Sequence, residues 1–178
     1  MAASADRSYP REGARAADLR LLADEYRSAA ASAALLGRAG QPLSRAPFRL
    51  LAIHAIELYL NAFLLDHGCT PADLRRLNHD LAARTELARA AGLVLRARTV
   101  AHLKVLSERR EYLVSRYAPE EAASCTHINR LAATLRELAG KTAPPPAPVA
   151  RSVCLTDGGT LPALRSLNGQ TPPEDLPP

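Results

Sequence analysis

Residues Phe48–Gly68 read FRLLAIHAIELYLNAFLLDHG. From Phe48 to Leu65 nearly every side chain is apolar, and the main exceptions, His54, Glu57 and Asn61, recur at three- and four-residue spacing. At 100° per residue these three share a sector of roughly 60°, so the stretch predicts a helix covered on most sides with one narrow polar stripe. Such a helix belongs at the centre of an all-helical domain. The stretch approaches membrane-span length, but Glu57, Asn61 and His54 interrupt it, and a buried helix accounts for it without placing a carboxylate in lipid.

Composition points the same way. Aromatic residues make up 4% of the 178-residue chain and Trp is absent, while Ala and Leu abound, a balance that suits helix packing better than sandwiches or barrels. The length accommodates one domain plus tails. The net charge is +5, yet of the 23 basic residues only Lys104 and Lys141 are lysines. Arg with Ala enrichment matches the codon bias of a GC-rich genome, so the basic balance permits RNA as a partner without demanding it. Cys69, Cys125 and Cys154 are odd in number and lack CxxC spacing. With no apolar leader at the start, they predict a reduced, cytoplasmic, soluble protein.

Outward from the central helix, residues 1–12 read as a disordered lead-in and 13–141 as the helical bundle. Residues 142–178 read as a disordered tail, because the region after Lys141 holds nine of the 14 prolines. Arg15–Gly37 predicts the first helix, with Leu19, Leu22, Tyr26, Ala29, Ala33 and Leu36 at helical spacing and Gly37 and Gly40 as its stop. Thr70-Pro71-Ala72-Asp73 is a helix start, with Thr70 as N-cap and Asp73 at the positive end of the dipole. The third helix breaks near Asn78 or His79 and closes at Gly92, with Leu87, Ala90, Ala91 and Leu93 as its apolar side. Ala97–Ala118 predicts a fourth helix. One stripe of it holds Leu103, Leu106, Arg110, Leu113, Val114 and Tyr117, and an adjacent stripe holds His102, Arg109 and Arg116. Glu120–Gly140 predicts a fifth, with Ile128, Leu131, Ala132, Leu135 and Leu138 facing the core.

In this order, Ala55-Ile56-Glu57-Leu58-Tyr59-Leu60-Asn61-Ala62-Phe63-Leu64-Leu65, Gly68, Asn78-His79-Asp80-Leu81 and Tyr112-Leu113-Val114-Ser115-Arg116-Tyr117-Ala118-Pro119 resemble the HEPN family of small prokaryotic helical domains. That family shows an A-x-E-x-x-x-K-A helix, an H-D-L motif and a Y-x-x-x-R-Y-P ending. The resemblance spans roughly residues 15–140. It implies an up-and-down bundle of four to five helices, usually a homodimer. It also implies roles in RNA cleavage, nucleotide binding, defence, or toxin and antitoxin pairs, where the partner can be a nucleotidyltransferase antitoxin. Asn61 stands where the family often has Lys.

Active HEPN ribonucleases carry R-x(4-6)-H, in which Arg steadies the scissile phosphate and His exchanges protons near neutral pH. Here the next same-face polar residue after Arg110 is Tyr117, whose unperturbed pKa of about 10 makes it a poor base. Arg49 with His54 and Arg96 with His102 match the spacing, but the first pair is about 140° apart on a helix. The expectation is therefore an RNA- or nucleotide-binding module without an intact ribonuclease motif. Arg109, Arg110, Arg116, Tyr117, Glu57 and His54 are candidate ligand-binding residues. The alternatives are a metal-independent ribonuclease, for which Arg110, Tyr117 and His79 are the catalytic candidates, and a non-catalytic interaction domain using the Pro-rich tail.

Each candidate also has a structural reading. Arg110 on an apolar stripe needs a partner, and Glu57 or Asp80 inside the bundle is the favoured one. Asp80 is better placed to cap a helix than to pair with His79 as acid and base. His67, Cys69 and His79 match no zinc spacing, so no metal is expected. No complete serine-nucleophile, phosphate-loop or dinucleotide signature occurs, and no cofactor is expected.

Overall fold

The central helix, α2, runs from Ala46 to Asp66, and thirteen of its 21 residues are buried. Pro47 lies in the first turn, where a missing N–H costs nothing. Its far end closes on His67 and on Gly68 at φ +91°, a left-handed position that glycine takes without strain. Ile56, Leu58, Leu60 and Leu64 are each at most 2% exposed, and burying a side chain of this kind contributes about 1.5–3 kcal/mol. The segment Pro42–Asp66 has the length and hydropathy to cross a membrane, but 78% of its most apolar window is buried inside the protein.

The computed structural model of the chain describes residues 13–143. The lead-in expected over residues 1–12 and nearly all of the tail expected over 142–178 lie outside the described residues. Thr142, the first residue of that tail, is buried, and its carbonyl accepts a hydrogen bond from Arg20.

α1 (Ala16–Leu35) packs along α2. Arg20 pairs with Asp66, Asp24 with Tyr59, Tyr26 with His54, and the Ala34 carbonyl with Arg45. As one number rises the other falls, so the two helices are antiparallel. The buried face of α1 is Ala16, Ala23, Ala30 and Ala33, with Leu19 and Tyr26 partly buried. This corrects the apolar face expected from spacing, since Leu22 is 44% and Leu36 73% exposed. Alanines let the two backbones approach closely, which leaves the longer leucines outside.

The remaining elements are α3 (Pro71–Arg76), α4 (Leu81–Ala90), α5 (Ala97–Glu108), α6 (Glu111–Tyr117) and α7 (Ile128–Lys141), with 3-10 turns at Pro42–Arg45 and Pro119–Glu121. α3 starts with a capping box in which Thr70 and Asp73 satisfy each other's backbone N–H groups. α5 and α7 are antiparallel, since Thr99 meets Glu137 and His102 meets both Thr134 and Thr126. Arg49 near the start of α2 bonds the Thr126 carbonyl, and Arg20 links Asp66 to the Thr142 carbonyl, so α7 runs parallel to α2. The long helices α1, α2, α5 and α7 thus alternate in direction around a shared core. The fold is an all-α, up-and-down bundle with seven α-helices among the described residues.

Two expected helices are shorter than their patterns. The fourth breaks at Arg109–Arg110, where Arg110 adopts φ 48° and ψ 41°, so no single stripe runs from Leu103 to Tyr117. Beyond the break Glu111 is buried, and its carboxylate takes the Arg49 guanidinium and both the N–H and hydroxyl of Thr126. The fifth begins only at Ile128. Ahead of it Ser124 bonds back to the Glu121 carbonyl, and the Thr126 N–H is committed to Glu111, so neither continues a helical ladder.

Candidate functional site

Of the polar stripe of α2, Glu57 and Asn61 face α4 rather than solvent, while His54 faces α1. Leu81, Arg84, Thr85 and Ala88 form the buried face of α4, which corrects the Leu87, Ala90 and Ala91 side expected from the sequence. Arg84 has no exposed surface. Its Nε donates to Asn61 Oδ1 at 2.8 Å, and its terminal nitrogens donate to the carbonyls of Leu74, Leu77, Asn78 and Asp80. The same guanidinium lies 3.1 Å from Glu57 Oε1. One side chain therefore ties the corner between α3 and α4 to the middle of α2, and it compensates the buried Glu57 carboxylate.

Glu57 in turn holds His79. Its Oε2 is 3.0 Å from His79 Nδ1, and the His79 ring rests against Tyr112 of α6 with centroids 4.8 Å apart. A neutral imidazole in this pairing carries its proton on Nδ1 and presents the Nε2 lone pair outward. His79 is half-buried and Glu57 buried, so the carboxylate is shielded while the imidazole reaches solvent.

His79 opens into a cleft of about 700 Å³ whose wall also carries Arg76, Asn78, Asp80, Ser107, Glu108, Arg110 and Tyr112. Asn78 at φ 46° and Arg110 at φ 48° are the two non-glycine residues with positive φ among the described residues, and both line this cleft. Such conformations cost about 1–3 kcal/mol each and concentrate where geometry serves a ligand. Asp80 is occupied as the α4 N-cap: it accepts from the Ala83 N–H and the Ser107 hydroxyl, and these bonds hold its carboxyl below the usual range, Ser107 first. Glu108 is offset by Lys104 at 3.7 Å. The two rim arginines are thus the least neutralised charges of the cleft, although Arg76 also makes a long exposed contact with Asp73.

The cleft brings together His79, supported by Glu57, and Arg110. It separates the other candidates. Arg110 does not pair with Glu57 or Asp80, because Arg84 and His79 hold the first and the helix cap holds the second. Tyr117 is 73% exposed and lies outside the cleft lining. His54 packs edge-on against Tyr26 of α1, with ring centroids 4.4 Å apart.

The expected stripe of His102, Arg109 and Arg116 is not one surface. His102 is buried between the hydroxyls of Thr134 and Thr126, and burial, with Arg130 and Arg49 nearby, lowers its pKa to about 4. Arg109 bonds the Ser124 carbonyl, and Arg116 lines a separate groove beside Arg49 and Cys125. The two spacing matches also come apart. Arg49 is buried against Glu111 while His54 faces α1, and exposed Arg96 lies 4.0 Å from Glu137 while His102 points into α7. His67 stacks on Phe63, and among the described residues no three His, Cys, Asp or Glu side chains converge as a metal site. Gly140-Lys141-Thr142 has the last three letters of a phosphate loop, but it closes the C-terminus of α7.

Arg84 is the residue that sequence reasoning missed. Its signal was present: it falls with Leu81 and Ala88 on one helical face, and a cation there requires a buried acceptor, which the α2 stripe supplies. No protein-family model matches the chain, and no curated protein or solved structure matches it either.

Proposed function

We propose that the protein is a HEPN-like module that binds RNA or a nucleotide by placing a phosphate in the His79 cleft. The observation that carries this reading is the buried Glu57 carboxylate holding His79 Nδ1 at 3.0 Å on a wall shared with Arg76 and Arg110. Guanidinium groups fork onto phosphate oxygens, and Nε2 of the fixed imidazole can accept a hydrogen bond from a ribose hydroxyl beside that phosphate. Tyr112, beside His79, offers a ring on which a base can stack. The order of the E-x-x-x-N helix, the Asn-His-Asp-Leu corner and the Tyr112–Pro119 segment supports the HEPN-like reading, which carries with it a place in a toxin and antitoxin or defence pair.

The Glu57–His79 pair favours a second reading, metal-independent cleavage of RNA. His79 Nε2 would take the proton of a 2′-hydroxyl as that oxygen bonds to phosphorus and the P–O5′ bond breaks, the departing 5′-oxygen taking a proton from solvent water and a 2′,3′-cyclic phosphate remaining, with Arg110 on the phosphate oxygens.

Fluorescence anisotropy with labelled single-stranded RNA, and melting-temperature shifts with nucleotides, test the first reading. Saturable binding that weakens about tenfold or more in the Arg76→Ala, Arg110→Ala double variant supports it. Binding unaffected by that variant, or no binding, overturns it. Metal-free cleavage lost in His79→Gln while binding persists selects the second.

A further inference from the structure

We propose that the groove between the start of α2 and α6 is a binding site for a small carboxylic acid with a compact apolar body, its carboxylate held by Arg49 and Arg116. The groove has a volume of about 230 Å³. That lies below the roughly 300–1,000 Å³ of sites that take drug-sized molecules, so its occupant is small. Leu43, Ala46, Val114, Pro119 and Ala122 supply apolar walls, and Arg49 is the one buried residue of the lining. The groove shares no lining residue with the His79 cleft, so the two sites are separate.

The polar groups of the groove say what fits it. Arg49, 6% exposed, donates from its terminal nitrogens to Glu111 at 3.2 Å and to the Thr126 carbonyl, while its buried Nε–H has no acceptor. A buried donor without a partner is costly, and an acceptor brought by a ligand removes that cost. Arg116 is exposed and makes no ion pair among the described residues. No Asp or Glu belongs to the lining, and the Ser115 hydroxyl already donates to the Tyr112 carbonyl. Burial, ahead of the nearby charges, raises the pKa of the Cys125 thiol, so it stays protonated at neutral pH and adds no negative charge. Buried Glu111 offsets Arg49, which leaves the groove with about one positive charge, the complement of a monoanion rather than of a phosphate dianion. A carboxylate offers two oxygens, one for the Arg49 Nε–H and one for the Arg116 fork. Apolar walls then take an apolar body out of water, a gain that a bare anion lacks.

Titration of the full chain with isovalerate and with benzoate, followed by NMR through the arginine Nε–H signals, tests the proposal. The Arg49 signal, assigned by through-bond correlation, should move downfield and saturate with either acid. Arg116→Ala should weaken binding by about tenfold, and Ala122→Leu, which fills the groove, should abolish it. Neither side chain is buried, so both variants should keep the circular dichroism of the wild type. Isovaleramide, acetate and inorganic phosphate should each bind at least about tenfold more weakly than the two acids. Binding of the acids should persist in the Arg76→Ala, Arg110→Ala double variant, because the His79 cleft is separate. An Arg49 signal that moves with neither acid overturns the proposal. So does binding that survives Ala122→Leu or is not weakened by Arg116→Ala, binding of the amide or of phosphate as tight as that of the acids, or binding lost with Arg76 and Arg110.

Discussion

Arg84, with no exposed surface, lies 3.1 Å from Glu57 beneath the half-exposed ring of His79. The contact is an ion pair by distance, while the directed bonds of the guanidinium go to Asn61 and to four carbonyls around the corner between α3 and α4. Removing it should leave a buried carboxylate without its cation. Arg84→Met is expected to destabilise the fold by about 3–5 kcal/mol in chemical denaturation. Adding Glu57→Gln should recover part of that loss, and a strictly additive double variant would contradict the pairing.

Arg110 occupies a conformation that glycine adopts freely. Arg110→Gly should therefore be more stable than Arg110→Ala by about 1 kcal/mol, although the position is exposed. Both should bind RNA equally weakly, because both lack the guanidinium. Equal melting temperatures would show that the left-handed turn imposes no strain.

Much of this fold is legible in the sequence because its signals are local. The three-and-four spacing of His54, Glu57 and Asn61 marks the central helix and its stripe, and Thr70 with Asp73, Asp80, and Gly68 mark ends by backbone hydrogen bonding within a few residues. The rest depends on distant contacts. Nothing within α5 or α6 foretells the break at Arg110; Glu111 turns inward to meet Arg49 and Thr126, which lie far along the chain in either direction. The inward alanines of α1 follow from how closely α2 approaches, a tertiary property that hydrophobicity alone does not encode. The site divides in the same way. His79 and Arg110 were nameable from motif and spacing, whereas their shared cleft requires that break, and Arg84 required two helices to be paired.

His102 links stability to pH. Its pKa is lowered to about 4 from an unfolded value of 6.5, first by burial and then by Arg130 and Arg49. Between these values the unfolded chain binds the proton and the folded chain does not, so stability falls as pH drops from about 6.5 towards about 4. The effect amounts to at most about 3 kcal/mol. Thermal melts across this window should decline for the wild type and flatten for His102→Gln. An unchanged slope in the variant would assign the decline to other groups.

If the rim arginines contact phosphates, affinity for single-stranded RNA should fall linearly with the logarithm of salt concentration. The slope should shrink by about 0.7 for each contact removed. Arg76→Ala and Arg110→Ala should each lower it, while Arg136→Ala, on an exposed position of α7 away from the cleft, should not. Equal slopes in all three would remove the arginines from the interface.

The most direct measurement is the imidazole NMR spectrum of the full chain, with the His79 signals assigned through His79→Gln, recorded as RNA or nucleotide is added. The ring signals of His79 should shift and saturate with the binding curve, while those of buried His102 stay in place. Saturated ligand with His79 unmoved would contradict a phosphate site in this cleft.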